Sequence, residues 1–202
     1  MKKLEGILID LGGVLCSVDE QAVWDAWQQH TGLPGETLRT ELYDRGLKAE
    51  VDRGWKQPPG VALFLAYRFE VELTTEDWKR IWASSVKPDP AMDEFAAALA
   101  MHLPTALAST TDRIHHRALQ EQLTCLERFK GQAVSYELGH LKPEPKFYER
   151  ALELLGTPAK STLFIDDKEE NVMGALAAGM PALRFTGLEK LREDLKQFGL
   201  LF

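Results

Sequence analysis

The stretch Leu4-Glu5-Gly6-Ile7-Leu8-Ile9-Asp10-Leu11-Gly12-Gly13-Val14-Leu15 is an apolar run that ends in an aspartate and two glycines. Far downstream a second such run, Leu163-Phe164-Ile165, ends in Asp166-Asp167. Short apolar runs bounded by turn residues have the length of buried strands. Two of them, each delivering acid at its C-terminal end, predict parallel strands that carry carboxylates into one crevice. In open α/β sheets that edge is where ligands bind.

Working outward from this pair, strands and helices alternate from Pro88 onward. An Ala-rich helix over 91–101 precedes a short strand over 105–109. A helix over 114–123 is followed by a strand over 132–135. Phe147, Ala151, Leu154 and Leu155 have helical spacing, ended by Gly156. The strand over 162–166 leads to a helix through Val172, Leu176 and Ala177, a strand over 181–185, and an amphipathic helix marked by Leu188, Leu191, Leu195 and Phe198. This alternation predicts a doubly wound parallel sheet of α/β class, with the first strand central.

Between Cys16 and Val86 no β-run is visible, and the segment reads as helices. Val23, Trp24 and Trp27 mark one face. Leu38, Leu42, Leu47 and Val51 suggest a second helical stretch. Arg53-Gly54-Trp55-Lys56-Gln57-Pro58-Pro59-Gly60 is a turn-rich break. Thr74-Thr75-Glu76-Asp77 has the form of a capped start for the helix carrying Trp78, Ile81 and Trp82. The tryptophans read as packing for a small helical unit. The expected organisation is a core over 1–16 and 87–202, with a helical cap over 17–86 inserted after the first strand.

At 202 residues the chain is long enough for one α/β domain with a small insertion. A net charge of -7, without a Lys/Arg cluster, argues against nucleic acid as a main partner. Cys16 and Cys125 lack metal-ligand spacing, which points to a reducing compartment rather than a disulfide framework. Met1-Lys2-Lys3 has the charge of a signal n-region, but Asp10 interrupts the apolar run too early for a leader or a membrane span. The expectation is a soluble, cytoplasmic protein with no membrane partner. Nothing in the sequence bears on oligomeric state.

Each acidic strand end taken singly has an ordinary structural reading. Asp10-Leu11-Gly12-Gly13 suits a βα turn, and Asp166-Asp167 suits a helix start. Converging is another matter. Carboxylates about 4 Å apart repel by about 1 kcal/mol in water and several times more in a drier cleft. A hard cation among them relieves this, and Mg²⁺ is the natural choice for oxygen ligands. Ala108-Ser109-Thr110-Thr111 places hydroxyls at another strand end, suited to holding an anion. Gly139-His140-Leu141-Lys142-Pro143 brings an ammonium to the same edge. His115 and His116 read as an exposed pair on a helix.

In this order the four segments resemble the haloacid dehalogenase-like (HAD) hydrolase superfamily, whose members are mostly Mg²⁺-dependent phosphatases. The matching stretches are Ile9-Asp10-Leu11-Gly12-Gly13-Val14-Leu15, Leu107-Ala108-Ser109-Thr110, Lys142-Pro143-Glu144-Pro145, and Phe164-Ile165-Asp166-Asp167-Lys168-Glu169-Glu170-Asn171. The resemblance spans the chain and implies a Rossmann-like core with a small helical cap. It implies Asp10 as a nucleophile that forms an aspartyl-phosphate. Mg²⁺ is then held by Asp10, the Gly12 carbonyl and Asp167, with Asp166 a direct or water-bridged ligand. Ser109, Thr110 and Lys142 hold phosphoryl oxygens, and Asn171 supports the acidic loop. The implied substrate is a small phosphorylated metabolite.

Two positions depart from the family pattern. Gly12 stands where phosphatases commonly carry a second aspartate, the general acid and base, and Thr110 stands where asparagine is usual. The Asp-Leu-Gly-Gly form resembles a branch that includes glucose-1-phosphate phosphatase, which suggests a sugar phosphate. A replacement acid is sought in His140, Asp19 or Asp112; without one, the rate depends steeply on leaving-group pKa. Two further readings are a 2-haloacid dehalogenase, which also lacks the second aspartate but generally lacks paired acids in the last motif, and a non-catalytic binding protein that keeps the fold.

Overall fold

A computed structural model of the chain describes residues 3–201. Met1, Lys2 and Phe202, and with them part of the n-region comparison, lie outside the described residues. The central strand is β1 (Gly6–Ile9), as the opening run predicts. It is followed by a short strand β2 (Cys16–Val18) and the helices α1 (Glu20–Thr31), α2 (Gly35–Arg39), α3 (Leu47–Asp52), α4 (Pro58–Phe69) and α5 (Thr75–Ala83). Then come β3 (Val86–Pro88), α6 (Pro90–His102), β4 (Thr105–Ser109), α7 (Arg113–Gln120), β5 (Gly131–Val134), α8 (Ser135–Leu138) and α9 (Pro145–Leu155). The chain finishes with β6 (Thr162–Asp166), α10 (Glu169–Ala177), β7 (Ala182–Arg184) and α11 (Leu188–Lys196).

Five strands form one parallel sheet in the order β5-β4-β1-β6-β7. Strand side chains alternate between faces, and the core divides accordingly. Ile7, Ile9, Leu107, Leu163 and Ile165 pack with Phe95, Leu99 and Leu195 on one side. Leu8, Ala106, Ala108 and Phe164 pack with Phe147, Tyr148, Ala151 and Ala175 on the other. Because β1 lies between β4 and β6, Asp10, which follows its last residue, has Ala108 and then Ser109 at the end of β4 on one flank and Asp166 on the other. The Ile9↔Leu107 and Ile9↔Ile165 pairings fix that register.

The helical segment has its own apolar cluster, including Val23, Trp27, Leu38, Leu65, Trp78, Ile81 and Trp82. Its helix starts carry the expected chemistry. Asp19 caps α1, and Thr74 with Asp77 forms a reciprocal capping box on α5. The second helical stretch is broken into α2, a π-helical turn over Thr40–Asp44, and α3, with Gly46 at positive φ as the break. Two sequence expectations are corrected here. The segment does contain strand, since β2 and β3 pair antiparallel and tie the two ends of the helical insertion together. Three-residue strands are too short to show a period. Trp55 is 68% exposed and packs against Arg53 rather than in the core.

Trp78 is 1% exposed at the centre of the helical cluster. Trp78→Ala is expected to cost about 3–5 kcal/mol through lost burial and the cavity left behind. Urea unfolding followed by circular dichroism measures this, and a loss below about 1 kcal/mol contradicts the packing described.

Candidate active site

Asp10 follows the last residue of β1 and is 5% exposed. Its Oδ1 accepts from the Leu11 backbone N–H at 2.7 Å and lies 2.7 Å from Lys142 Nζ. Both contacts fall on one oxygen, so Oδ2 has no donor among the described residues. Lys142 arrives from the loop between α8 and α9, its side chain 1% exposed. Besides Asp10 it reaches Asp166 Oδ2 at 2.6 Å and the Ala108 carbonyl at 3.0 Å. These three contacts use the three protons of an ammonium. Lys142 therefore acts on this site through Asp10 and Asp166, and the expectation that it grips phosphoryl oxygens corresponds to no donor left over in this arrangement.

Asp166 ends β6, fully buried. Its Oδ1 accepts from Lys168 N at 2.9 Å, and Asn171 Nδ2 reaches Oδ1 at 3.0 Å and Oδ2 at 3.1 Å. Asn171, on the first turn of α10, thus holds the acidic loop. Asp167 differs. Its Oδ1 is buried without any hydrogen-bond partner. The carboxylate lies where a Cβ on Gly13 would stand 2.3 Å from its Oδ2, and Gly13 has φ +81. Only glycine both adopts that backbone and leaves room for the acid.

Ligand oxygens of Asp10, Asp166 and Asp167 all lie within 4.8 Å of one another. Three carboxylates against one ammonium leave two negative charges in a mostly buried crevice. The titration behaviour follows. Burial, reinforced by Asp166 and only partly opposed by Lys142, pushes the Asp10 carboxyl up to about 7. Burial and Asp166 also push Asp167 up. Lys142 is held above its usual range because Asp10 and Asp166 outweigh its burial. An orphaned oxygen and an uncompensated double charge fit a divalent cation with oxygen ligands. Asp167 and Asp10 Oδ2 have lone pairs to offer, and Asp166 is already engaged by protein donors.

A cleft of about 520 Å³ opens over this cluster. Ser109 and Thr110 line it, as does the Gly12 backbone. Ser109 makes no side-chain hydrogen bond among the described residues, while Thr110 Oγ1 accepts from Lys142 N at 3.0 Å and so braces the lysine loop. The helical segment supplies Glu20, Trp24, Tyr43, Lys48, Asp52 and Trp82 to the same cleft. Glu20, Tyr43, Lys48 and Asp52 carry no sequence signal that marks them as site residues. The i,i+4 spacing of Lys48 and Asp52 has the look of a solvated helix pair, and nothing local signals their burial.

The replacement acids weighed from sequence are placed otherwise. Asp19 caps α1 through Gln21 N, and His140 pairs with Glu144 outside the cleft lining. Asp112 is 1% exposed and caps α7 through Ile114 and His115. It also accepts from Trp82 Nε1 at 2.7 Å and contacts His115 Nδ1 at 2.9 Å. Burial pushes its carboxyl up, but His115, the Trp82 bond and Lys48 hold it well below the usual range. The two histidines are not an exposed pair. His116 is buried between Tyr136 and Gln132, because α7 turns that face inward. His115 bonds Asp112 through Nδ1 and approaches Ser85 Oγ at 3.0 Å through Nε2. That resembles a nucleophilic triad, but Nε2 lies closer, at 2.8 Å, to the Trp82 carbonyl. A nitrogen facing a carbonyl carries the proton and cannot take one from Ser85.

A family model for haloacid dehalogenase-like hydrolases matches residues 4–179. The chain belongs to this family. Among its relatives, a sesquiterpene phosphatase of Aspergillus oryzae is 45% identical over 69 residues, covering 34% of this chain and 35% of that protein. The chain thus aligns with about a third of that relative's length. A D-ribitol-5-phosphate phosphatase of Bacteroides thetaiotaomicron is 22% identical over 181 residues, covering 84% of this chain and 85% of that protein. A solved HAD-family enzyme of Bacteroides thetaiotaomicron, in complex with magnesium and inorganic phosphate, has the same fold. Its TM-score is 0.82 at 21% identity, with 90% of this chain and 93% of that one covered. Among the described residues no helix is long and apolar enough to cross a membrane.

The raised Asp10 carboxyl has a signed consequence for the metal-free protein. Its folded value is about 7 against an ordinary 3.8, so between those values the folded state holds the extra proton. This contribution to stability is present below the ordinary value and is lost as pH rises through about 7. Asp10→Asn removes it. Urea unfolding with a chelator at about pH 5 and about pH 8 is expected to show a smaller stability loss in the variant than in the parent. Equal losses would contradict the environment assigned to Asp10.

Proposed function

We propose that this HAD-family hydrolase is a Mg²⁺-dependent phosphomonoester phosphatase acting on a small phosphorylated polyol or sugar, with residues 17–86 as its cap. The observation that carries the reading is the crevice of Asp10, Asp166, Asp167 and Lys142. It is two positive charges short of balance and has an orphaned acceptor at Asp167 Oδ1. A substrate cleft lies directly over it. A bound Mg²⁺ would supply charge neutralisation of the phosphoryl oxygens, held by Asp10, the Gly12 carbonyl and Asp167.

The chain's own residues then have separate tasks. Asp10 Oδ2, free of hydrogen bonds, is the nucleophile that displaces the alcohol and forms an aspartyl-phosphate, which water hydrolyses. Lys142 fixes the Asp10 carboxylate through Oδ1, so that the other oxygen points its lone pairs onward. Ser109 offers an unengaged hydroxyl to the phosphoryl group, and Thr110 contributes through the lysine loop. Asp166 and Asn171 hold Lys142 and the acidic turn. Positioning and charge supply most of the catalysis in such transfers. Lys48, Asp52, Glu20 and Tyr43 beside Trp24 and Trp82 give the cleft the hydrogen-bonding and flat apolar surfaces that hydroxylated leaving groups need. The relative that aligns along most of the chain is named for a polyol phosphate, which favours that class. The paired acids at Asp166 and Asp167 speak against a dehalogenase, and the free Oδ2 of Asp10 speaks against a binding protein.

Phosphate release from an aryl phosphate, and then from a panel of phosphorylated polyols and sugars, is expected only with Mg²⁺. Asp10→Asn is expected to lower turnover by at least about 10³-fold with the fold retained, since the amide keeps shape but not nucleophilicity. Asp167→Ala is expected to raise the Mg²⁺ concentration needed for half-maximal rate. Metal-independent release, or full turnover in Asp10→Asn, overturns this assignment.

A further inference from the structure

Gly12 leaves the position beside the nucleophile without a side chain, and the nearest atom to a Cβ built there is Val18 Cγ2 at 3.3 Å. An alkyl phosphate nevertheless needs a proton for its departing oxygen, because an alkoxide is a poor leaving group. The groups that line the cleft can be taken one by one. Burial, with Asp10 adding to it, pushes the Cys16 thiol up to about 12. Burial and the bond to Glu20 push the Tyr43 hydroxyl up as well. Glu20 accepts the hydrogen bond from that hydroxyl. Both ring nitrogens of His115 face protein acceptors. Lys142 has no donor to spare. Asp10 and Asp167 are committed to the nucleophile and cation roles, which leaves one carboxyl in the lining.

Asp52, the last residue of α3, is 6% exposed and lines the cleft together with Asp10, Gly12 and Ser109. Among the described residues its carboxylate oxygens contact only Lys48, which lies one helical turn earlier with its Nζ 5.7 Å from the Trp82 ring centroid. Its backbone is tied to the core beside the phosphate-binding loop. Ser135 Oγ donates to the Asp52 carbonyl at 2.7 Å and accepts from Thr111 N at 2.9 Å. Thr111 directly follows Ser109 and Thr110, so one serine hydroxyl registers α3 against that loop. Burial, with Asp112 adding to it, raises the Asp52 carboxyl above its ordinary range against the pull of Lys48.

We propose that Asp52, steadied by Lys48, is the general acid and base that replaces the missing carboxylate at position 12. The proposal rests on the phosphatase reading. In the first step Asp10 Oδ2 forms a bond to phosphorus and the bond from phosphorus to the leaving oxygen breaks. The electron pair departs with that oxygen, the Asp52 proton moves onto it to complete the alcohol, and Asp52 is left as a carboxylate beside the Lys48 ammonium. In the second step this carboxylate takes a proton from the water that attacks the aspartyl-phosphate. The bond between Asp10 and phosphorus breaks, inorganic phosphate leaves, and both aspartates return to their starting states.

The test measures kcat/KM with Mg²⁺ over aryl and alkyl phosphates of graded leaving-group pKa. The parent enzyme is expected to give a shallow dependence. Asp52→Asn is expected to lose about 10²–10⁴-fold on alkyl esters, the usual worth of general acid help, and at least tenfold less on nitrophenyl phosphate. The double variant Lys48→Met with Asp52→Asn removes both charges together. It is expected to keep the parent's circular dichroism spectrum and to show the same steepened series. A uniform loss on all esters, or none, in folded variants refutes the acid–base role of Asp52 while leaving the phosphatase reading standing. A parent enzyme that releases no phosphate from any ester with Mg²⁺ refutes both.

Discussion

The ammonium of Lys142, bonded to Asp10 and Asp166 and shielded from water, is the contact on which the site depends. A buried carboxylate pair this close is unsustainable without a cation. Lys142 meets part of that demand and also sets geometry, since it pins one oxygen of Asp10 and frees the other. For its Nζ to reach β1, β4 and β6 at once, these strands must be adjacent and end at the same level. The sheet order and the Ile9 register provide this. Sheet topology and site chemistry are therefore one constraint.

Lys142 does not finish the neutralisation. Two negative charges remain, and burial, with Asp166 adding to it, raises the carboxyls of Asp10 and Asp167. A protein selected for stability alone would remove one of these acids. Retaining all of them, with Gly13 cleared so that Asp167 can approach, makes sense when a divalent cation and a phosphoryl group complete the arrangement. Strain of this kind is common where a fold is shaped for a ligand.

Much of this was legible in the chain. Asp10, Asp166 and Asp167 were found from apolar runs ending in acid, because a buried parallel strand must be apolar and its C-terminal end is where polarity resumes. The order of the core strands and the helices between them followed from the same alternation. What stayed hidden depended on long-range burial. The β2–β3 ribbon joins segments about 70 residues apart through strands of three residues, too short to carry a period. Trp55 falls under the general reading of the tryptophans as packing, with solvent as the other expected fate in a turn-rich break, and its turn projects it into solvent. His116 was read as surface because its neighbours are polar, yet α7 faces it inward. Lys142 could be placed at the crevice from its position before a helix, but not the saturation of its three protons.

The helical insertion brings these considerations together. Its two ends are joined by β2 and β3, and its last helix, α5, sends Trp82 onto Asp112 and His115 of the core. Farther along, Arg53 reaches Glu144 and the Gly139 carbonyl, while Ser135 holds the Asp52 backbone. These contacts fall beside the second motif segment, at Asp112, and within the third, at Glu144, rather than on remote surface. Gly54 permits the approach, since a Cβ there would stand 2.0 Å from the Tyr136 carbonyl oxygen. The side chains on the outer wall of the cleft are thus referenced to the same loops that carry Ser109 and Lys142. On the proposal that Asp52 stands in for a side chain at residue 12, this fixing of the outer wall keeps proton transfer in register with phosphoryl transfer.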